Sequence, residues 1–190
     1  MFFQRLHKKS DEELMRLVQQ GNSHAMTELY QRYSRKLLRY FFRMLWKDEA
    51  RAQDFLHDLF IKLIEHADRF NADRKFSTWL YSLAHNMCKN EYRKQSFRQA
   101  LHHDYLNSDP SESVTQQQME SHEFQQALDQ ALDKLDEEDK HLFMLRHEMD
   151  MPLEEIAHIL DCPLGTVKSR LFYVKRKLAT MLYKFQTIKE

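Results

Sequence analysis

Turn-making residues are scarce in this chain: 190 positions hold two glycines and three prolines. That scarcity excludes loop-rich sandwiches and barrels. No stretch alternates apolar and polar residues, whereas long stretches repeat near 3.6, so the expected fold is all-α. Cysteine is equally sparse. Cys88 and Cys162 have no second cysteine nearby, which excludes a disulfide framework and a CxxC zinc site. No apolar run approaches the roughly 18 residues that a membrane helix needs. Met1-Phe2-Phe3 is followed at once by Gln4, Arg5, His7, Lys8 and Lys9, so a signal-peptide core is missing. The protein is therefore expected in the cytoplasm, without membrane insertion. The 11 histidines include no HExxH set, and there is neither a Gly-rich phosphate loop nor a nucleophile motif. No catalytic residue, metal or cofactor is expected.

What is present is charge, unevenly spread. The formal net charge is zero, yet from Asp109 to Lys140 acids outnumber bases ten to two, and after Pro163 there are seven Lys or Arg against one Glu. A basic surface for nucleic acid is implied, with an acidic stretch that must avoid it.

The basic end carries the most informative stretch, Leu153 to Leu178. Leu153, Ile156, Ala157 and Leu160 fall on one face of a short helix, with Glu154, Glu155 and His158 turned away. That helix ends at Asp161, a residue type that tolerates left-handed geometry. Pro163 cannot continue it but suits the opening turn of a second helix. There Val167, Leu171, Val174 and Leu178 form a packing stripe, leaving Ser169, Phe172, Tyr173 and Arg176 in front and Lys168, Arg170, Lys175 and Lys177 at the sides. A helix with a packed back, a polar and aromatic front and basic flanks suits major-groove reading with phosphate clamping. An ordinary helical hairpin with a solvated basic face would have the same spacing.

Upstream, Ser10-Asp11-Glu12-Glu13 has the form of a capping box opening a helix with Leu14, Leu17 and Val18 inward, stopped by Gly21-Asn22. From a cap at Ser23, a longer helix puts Met26, Leu29, Tyr30, Tyr33, Leu37, Phe41 and Leu45 inside. A third, from Ala50 to about Arg69, has Phe55, Leu56, Leu59, Phe60, Leu63 and Ile64 inward and Asp54, His57, Asp58 and Lys62 outward. After the polar break at residues 70–75 comes a fourth, Phe76 to Lys94. Its expected inner set is Phe76, Trp79, Leu80, Leu83 and Met87; outside lie Thr78, Tyr81, Ser82, His85, Asn86, Lys89 and Arg93. Aromatic rings among amides and cations can stack on unpaired bases while the cations hold phosphates. A solvated face with one exposed tyrosine explains that set as well. Periodicity is lost over residues 96–118, where Ser108-Asp109-Pro110-Ser111-Glu112-Ser113 reads as an exposed, flexible linker. Beyond it, helices are expected from about Glu120 to Leu135, with Phe124, Leu128, Ala131, Leu132 and Leu135 inward, and around Glu138 to His147.

With both halves in view, the chain resembles the extracytoplasmic-function group of the sigma-70 family of bacterial RNA polymerase initiation factors. Asp54-Phe55-Leu56-His57-Asp58-Leu59-Phe60-Ile61-Lys62-Leu63 is similar to the family's polymerase-binding helix. Phe76-Ser77-Thr78-Trp79-Leu80 through Asn86, Lys89 and Asn90 is similar to its promoter-melting helix. Pro163-Leu164-Gly165-Thr166-Val167-Lys168-Ser169-Arg170 is similar to its −35-reading helix. The resemblance implies a non-enzymatic factor that joins core polymerase, places it on promoters and captures unpaired non-template bases near −10. Asp54, His57 and Asp58 would meet the β′ clamp coiled coil, and position 57 is commonly Gln in the family. Asn86 with the loop Asn71 to Lys75, including Asp73, would hold a flipped base. Lys89, Asn90 and Arg93 would track the strand or its upstream duplex, with Tyr81 as a stacking ring. Thr166, Lys168, Ser169, Arg170, Tyr173 and Arg176 would serve the −35 element. The implied partners are core RNA polymerase through its β′ clamp and β flap, promoter DNA, and an anti-sigma factor. The implied domains are residues 10–95 for polymerase binding and −10 melting, and 119–190 for −35 recognition, joined by the linker 96–118. A helix-turn-helix regulator acting on duplex DNA without polymerase is the alternative; it leaves residues 70–94 unexplained.

Overall fold

The structure, a computed structural model, describes residues 6–101 and 119–185, and among them there is no strand. Four helices make the first domain: α1 (Asp11–Gln19), α2 (Ser23–Met44), α3 (Glu49–Glu65) and α4 (Phe76–Leu101). Four more follow in the second: α5 (Met119–Asp133), α6 (Glu137–Phe143), α7 (Leu153–Ile159) and α8 (Leu164–Met181).

Local chemistry sets most of the boundaries. Ser10 Oγ accepts the Glu13 N–H at 3.2 Å and the Glu13 carboxylate accepts the Ser10 N–H at 2.9 Å, so the capping box opens α1 as expected. Gly21, at φ 82°, turns the chain after α1. The cap of α2 is Asn22 instead of Ser23, because the Asn22 amide oxygen accepts the Ala25 N–H at 3.1 Å. α3 stops at Glu65, and a single 3₁₀ turn, Ala67–Arg69, completes the stretch expected as one helix. α4 runs on to Leu101, so residues 96–101 of the expected linker are helical; the remainder, 102–118, lies outside the described residues. α6 widens into a π turn, Met144–Glu148, and Asp150 follows at φ 54°. Asp161, at φ 50°, makes the left-handed corner between α7 and α8.

The domains are not independently filled. Leu132, Leu135, Val174, Leu178 and Leu182 form a small core between α5 and the second half of α8. The larger core takes Leu14, Leu29, Leu37, Phe41, Leu59, Leu63, Phe76 and Leu80 from the first domain, and Leu142, Leu145, Ile156, Ile159 and Val167 from the second. Each buried Leu or Ile contributes roughly 1.5–3 kcal/mol of apolar transfer, so the seam between the domains is a substantial part of the fold. Ion pairs rim it: Arg43 with Asp129 and, at 2.8 Å, with Glu148, and Lys47 with Asp133 at 2.6 Å.

Three expected inward residues face out. Tyr30, Ile64 and Phe124 are exposed, Tyr30 stacking on Phe60 at 4.8 Å and Phe124 on Phe185 at 5.6 Å. Among the described residues no helix is long and apolar enough to cross a membrane.

Candidate nucleic-acid interface

Helix α8 starts at Pro163, whose ψ of 144° sets the chain for the first turn and whose carbonyl accepts the N–H groups of Thr166 and Val167 at 2.9 and 3.1 Å. The stripe of Val167, Leu171, Val174 and Leu178 is buried, as the wheel requires. Thr166, Lys168, Ser169, Phe172, Tyr173 and Arg176 are exposed, and the Phe172 and Tyr173 rings meet edge to face at 5.5 Å. The front of this helix is therefore free to enter a groove.

Its flank is less free. Arg170 is half-buried and pairs with Glu138 at 2.5 Å, while Lys177 pairs with Asp139 at 2.9 Å and lies 3.9 Å from Asp136. The hydrogen bond that Arg170 donates to Glu138 raises the Arg170 pKa, and the one that Lys177 donates to Asp139 raises that of Lys177. The acidic stretch, expected to keep away from nucleic acid, packs its α6 portion against the basic helix and neutralises one edge of it. Among the described residues, the exposed cations of α8 outside these ion pairs are Lys168, Lys175 and Arg176.

On α4 the expected outward face is divided. Asn86, Lys89, Asn90 and Arg93 are exposed, and so are Asn71, Asp73 and Lys75 in the preceding loop. There the Asn71 side chain accepts the Asp73 N–H at 2.9 Å, which fixes the turn. Tyr81 and His85, however, are buried, at 3% and 6% exposure, so the expectation of an outward Tyr81 is wrong. Their cover is the second domain. Tyr81 donates its hydroxyl to the Met149 sulfur at 2.9 Å, Thr78 donates to Glu155 at 2.8 Å, and Lys75 pairs with Glu155 at 2.6 Å. Burial pushes the Tyr81 hydroxyl up and the His85 imidazole down to about 4, so both are neutral where they lie. Trp79 is partly buried, with its ring against Phe70 and Phe76, in keeping with a core role.

The third set of candidates lies on α3. Asp54, His57 and Asp58 are exposed on one edge. Beside them Ile61 and Ile64, 45% and 56% exposed, turn apolar side chains to solvent, which the periodicity alone does not predict. Cys88 is buried, and burial raises its thiol pKa; Cys162 is partly buried. Among the described residues no group of three or more His, Cys, Asp or Glu could hold a metal ion.

Comparison with known proteins adds relatives to this geometry. The family model described as Sigma-70 region 2 matches residues 29–98, and that described as Sigma-70, region 4 matches residues 125–178. The chain is similar to the ECF RNA polymerase sigma-E factor of Escherichia coli (strain K12), at 30% identity over 178 residues, covering 89% of this chain and 92% of that one. It is similar to the corresponding sigma-E factor of Haemophilus influenzae, at 29% identity over 179 residues, covering 89% and 93%. In fold it is like CnrH in complex with the cytosolic domain of CnrY, with a TM-score of 0.70 at 23% identity, over 93% of this chain and 99% of that chain. It is also like the sigma factor RpoE of Bartonella quintana in complex with the anti-sigma factor NepR, with a TM-score of 0.65 at 21% identity, over 86% and 99%.

Proposed function

The chain belongs to the extracytoplasmic-function group of the sigma-70 family of RNA polymerase sigma factors, and from that premise we propose how its own residues divide the work. As a sigma factor it binds core RNA polymerase and directs promoter recognition, DNA melting and transcription initiation. It does so as a polymerase subunit and, in our reading, without catalytic residues of its own. Its working compartment is the cytoplasm, where the polymerase is.

Residues 119–190 are the −35 module. Thr166, Ser169, Tyr173 and Arg176 read base edges and Lys168 and Lys175 hold phosphates, while Arg170 and Lys177, already paired with acids of α6, contribute less. Residues 10–95, with the helical continuation 96–101, are the polymerase and −10 module, and 102–118 connect it to the −35 module. Asn86 and the loop Asn71 to Lys75, Asp73 included, take an unpaired base, and Lys89, Asn90 and Arg93 follow the strand. Asp54, His57 and Asp58, with the exposed Ile61 and Ile64, meet the β′ clamp, and the second domain meets the β flap. An anti-sigma protein is the regulatory partner we propose, since a solved structure of like fold is a sigma factor seen with one.

The observation that carries this reading is the clean division of α8 into a fully buried stripe and a front of exposed hydroxyl, aromatic and guanidinium groups. Core polymerase supplied with this chain should acquire promoter-dependent run-off transcription and should retain the chain on a column. Duplex binding without retention by polymerase would instead identify a free-standing regulator.

A further inference from the structure

At the seam between the domains two histidines are buried ring against ring. His141, from α6, is 1% exposed and His85, from α4, 6%, and their centroids lie 4.5 Å apart at 79°. Tyr40, from α2, holds His141 through a 2.6 Å hydrogen bond between its hydroxyl and Nδ1. Two of the other ring nitrogens, His85 Nδ1 and His141 Nε2, are buried without a partner. A buried polar atom left unpaired costs free energy, so this cluster is not explained by stability alone.

The surroundings decide which charge state fits. On α4, Lys89 disfavours a cation at His85, Arg93 lines the same cleft, and Tyr92 and Cys88 are neutral. From α2 comes Tyr40, kept neutral by burial. From α6, Lys140 disfavours a cation, whereas Glu137 and Glu138 at the mouth of the cleft would favour one but are exposed. Two imidazolium rings at this distance would also repel each other. Burial, the largest cause, holds His85 at about 4 and His141 well below its ordinary value. A solvated histidine titrates near 6.5.

We propose that Tyr40, His141 and His85 form a protonation latch: neutral imidazoles hold the two domains closed, and proton uptake by them parts α6 and α7 from α4 and uncovers the strand-facing side. The inference rests on the assignment of α4 to strand capture, because that is the surface the closed state covers at Thr78 and Tyr81. The sign follows from the depressed values in the closed state. Closure is complete above about pH 6.5 and is lost as pH falls below it toward 4, because the open state binds more protons. Between pH 7.5 and 5.5 each linked imidazole shifts the open-to-closed ratio roughly tenfold, and the two together roughly a hundredfold.

The test is the distance between dyes on the full chain, carried at Gln53→Cys and Thr180→Cys with Cys162→Ser, measured from pH 7.5 to 5.5 without polymerase or DNA. Wild-type latch residues should give a compact state that opens with acidification. His85→Phe/His141→Phe should remain compact over the same range, although the seam's carboxylates, Glu148 among them, are intact in it. An unchanging distance in the first chain, or the same opening midpoint in the second, overturns the latch. Should the double variant not fold by circular dichroism, His85→Gln and His141→Gln singly should each halve the proton dependence of opening; an unaltered dependence overturns the proposal. Transcription with core polymerase at pH 7.5 is scored separately, so a failed latch and a failed sigma assignment give different results.

Discussion

Tyr81 of α4 donates its hydroxyl to the sulfur of Met149 at 2.9 Å, joining the helix of the first domain to the turn after α6 in the second. An aromatic residue on α4, the helix proposed to capture the strand, is thereby held in the seam, neutral and 3% exposed. Its first role in the free chain is packing, and any base contact must wait for the seam to part.

Substitution at Tyr81 should reflect that order. Tyr81→Phe keeps the ring and loses one hydrogen bond, at a cost of about 1 kcal/mol, whereas Tyr81→Ala leaves a cavity costing roughly 3–5 kcal/mol. Urea unfolding of the full chain distinguishes them. Equal stabilities for the two variants would mean that the ring is not buried in solution.

Glu155 engages both Lys75 and Thr78 from across the seam. Glu155→Gln should release Lys75 and increase affinity for a single-stranded −10 oligonucleotide, steepening the salt dependence by about 0.7, one added phosphate contact on a single strand. Fluorescence anisotropy at several salt concentrations measures this. Unchanged affinity and slope would show that Lys75 does not reach the strand.

On α8, readers and clamps should separate. Arg176→Ala should relax preference at one −35 position by roughly 1–3 kcal/mol, while Lys168→Ala should weaken all sequences alike and lower the salt slope by about one. Lys177→Ala should do less, because Asp139 already holds that ammonium group. Binding of the full chain with core polymerase to single-base variants of a −35 duplex tests all three. Exchange of the first two behaviours would mean that the helix lies in the groove rotated toward Lys168.

Charge reversal at Asp54 and Asp58 should reduce affinity for core polymerase and leave folding stability within about 0.5 kcal/mol, since both are exposed. Ile64→Ala should act in the same direction, through a solvent-facing apolar side chain. Competition binding against the unaltered chain reads both, and full affinity in the charge-reversed variant would move the polymerase contact off this edge.

Local rules made much of this molecule legible in the sequence. The Ser10 and Glu13 capping box, the left-handed Asp161, the Pro163 start and the buried stripe of α8 each depend on neighbours within a turn or two, and each stands as the residues imply. The exposed edge of Asp54, His57 and Asp58 follows from the same periodicity. What periodicity does not carry is the identity of a second partner. α4 is covered on two sides, by its own domain at Phe76 and Leu80 and by α6 and α7 at Tyr81 and His85, so its amphipathic signal is weak. Tyr and His are ambiguous there because each can either face water or be buried with a polar tip satisfied, and only contacts made over long sequence separations decide. The same limit hid the pairing of Arg170 with Glu138 and the outward turn of Ile64. The sequence determined the helices, the capping box of α1 and the exposed front of α8; tertiary packing alone decided that the two domains close on one another, because that closure is made by residues whose types permit it without requiring it.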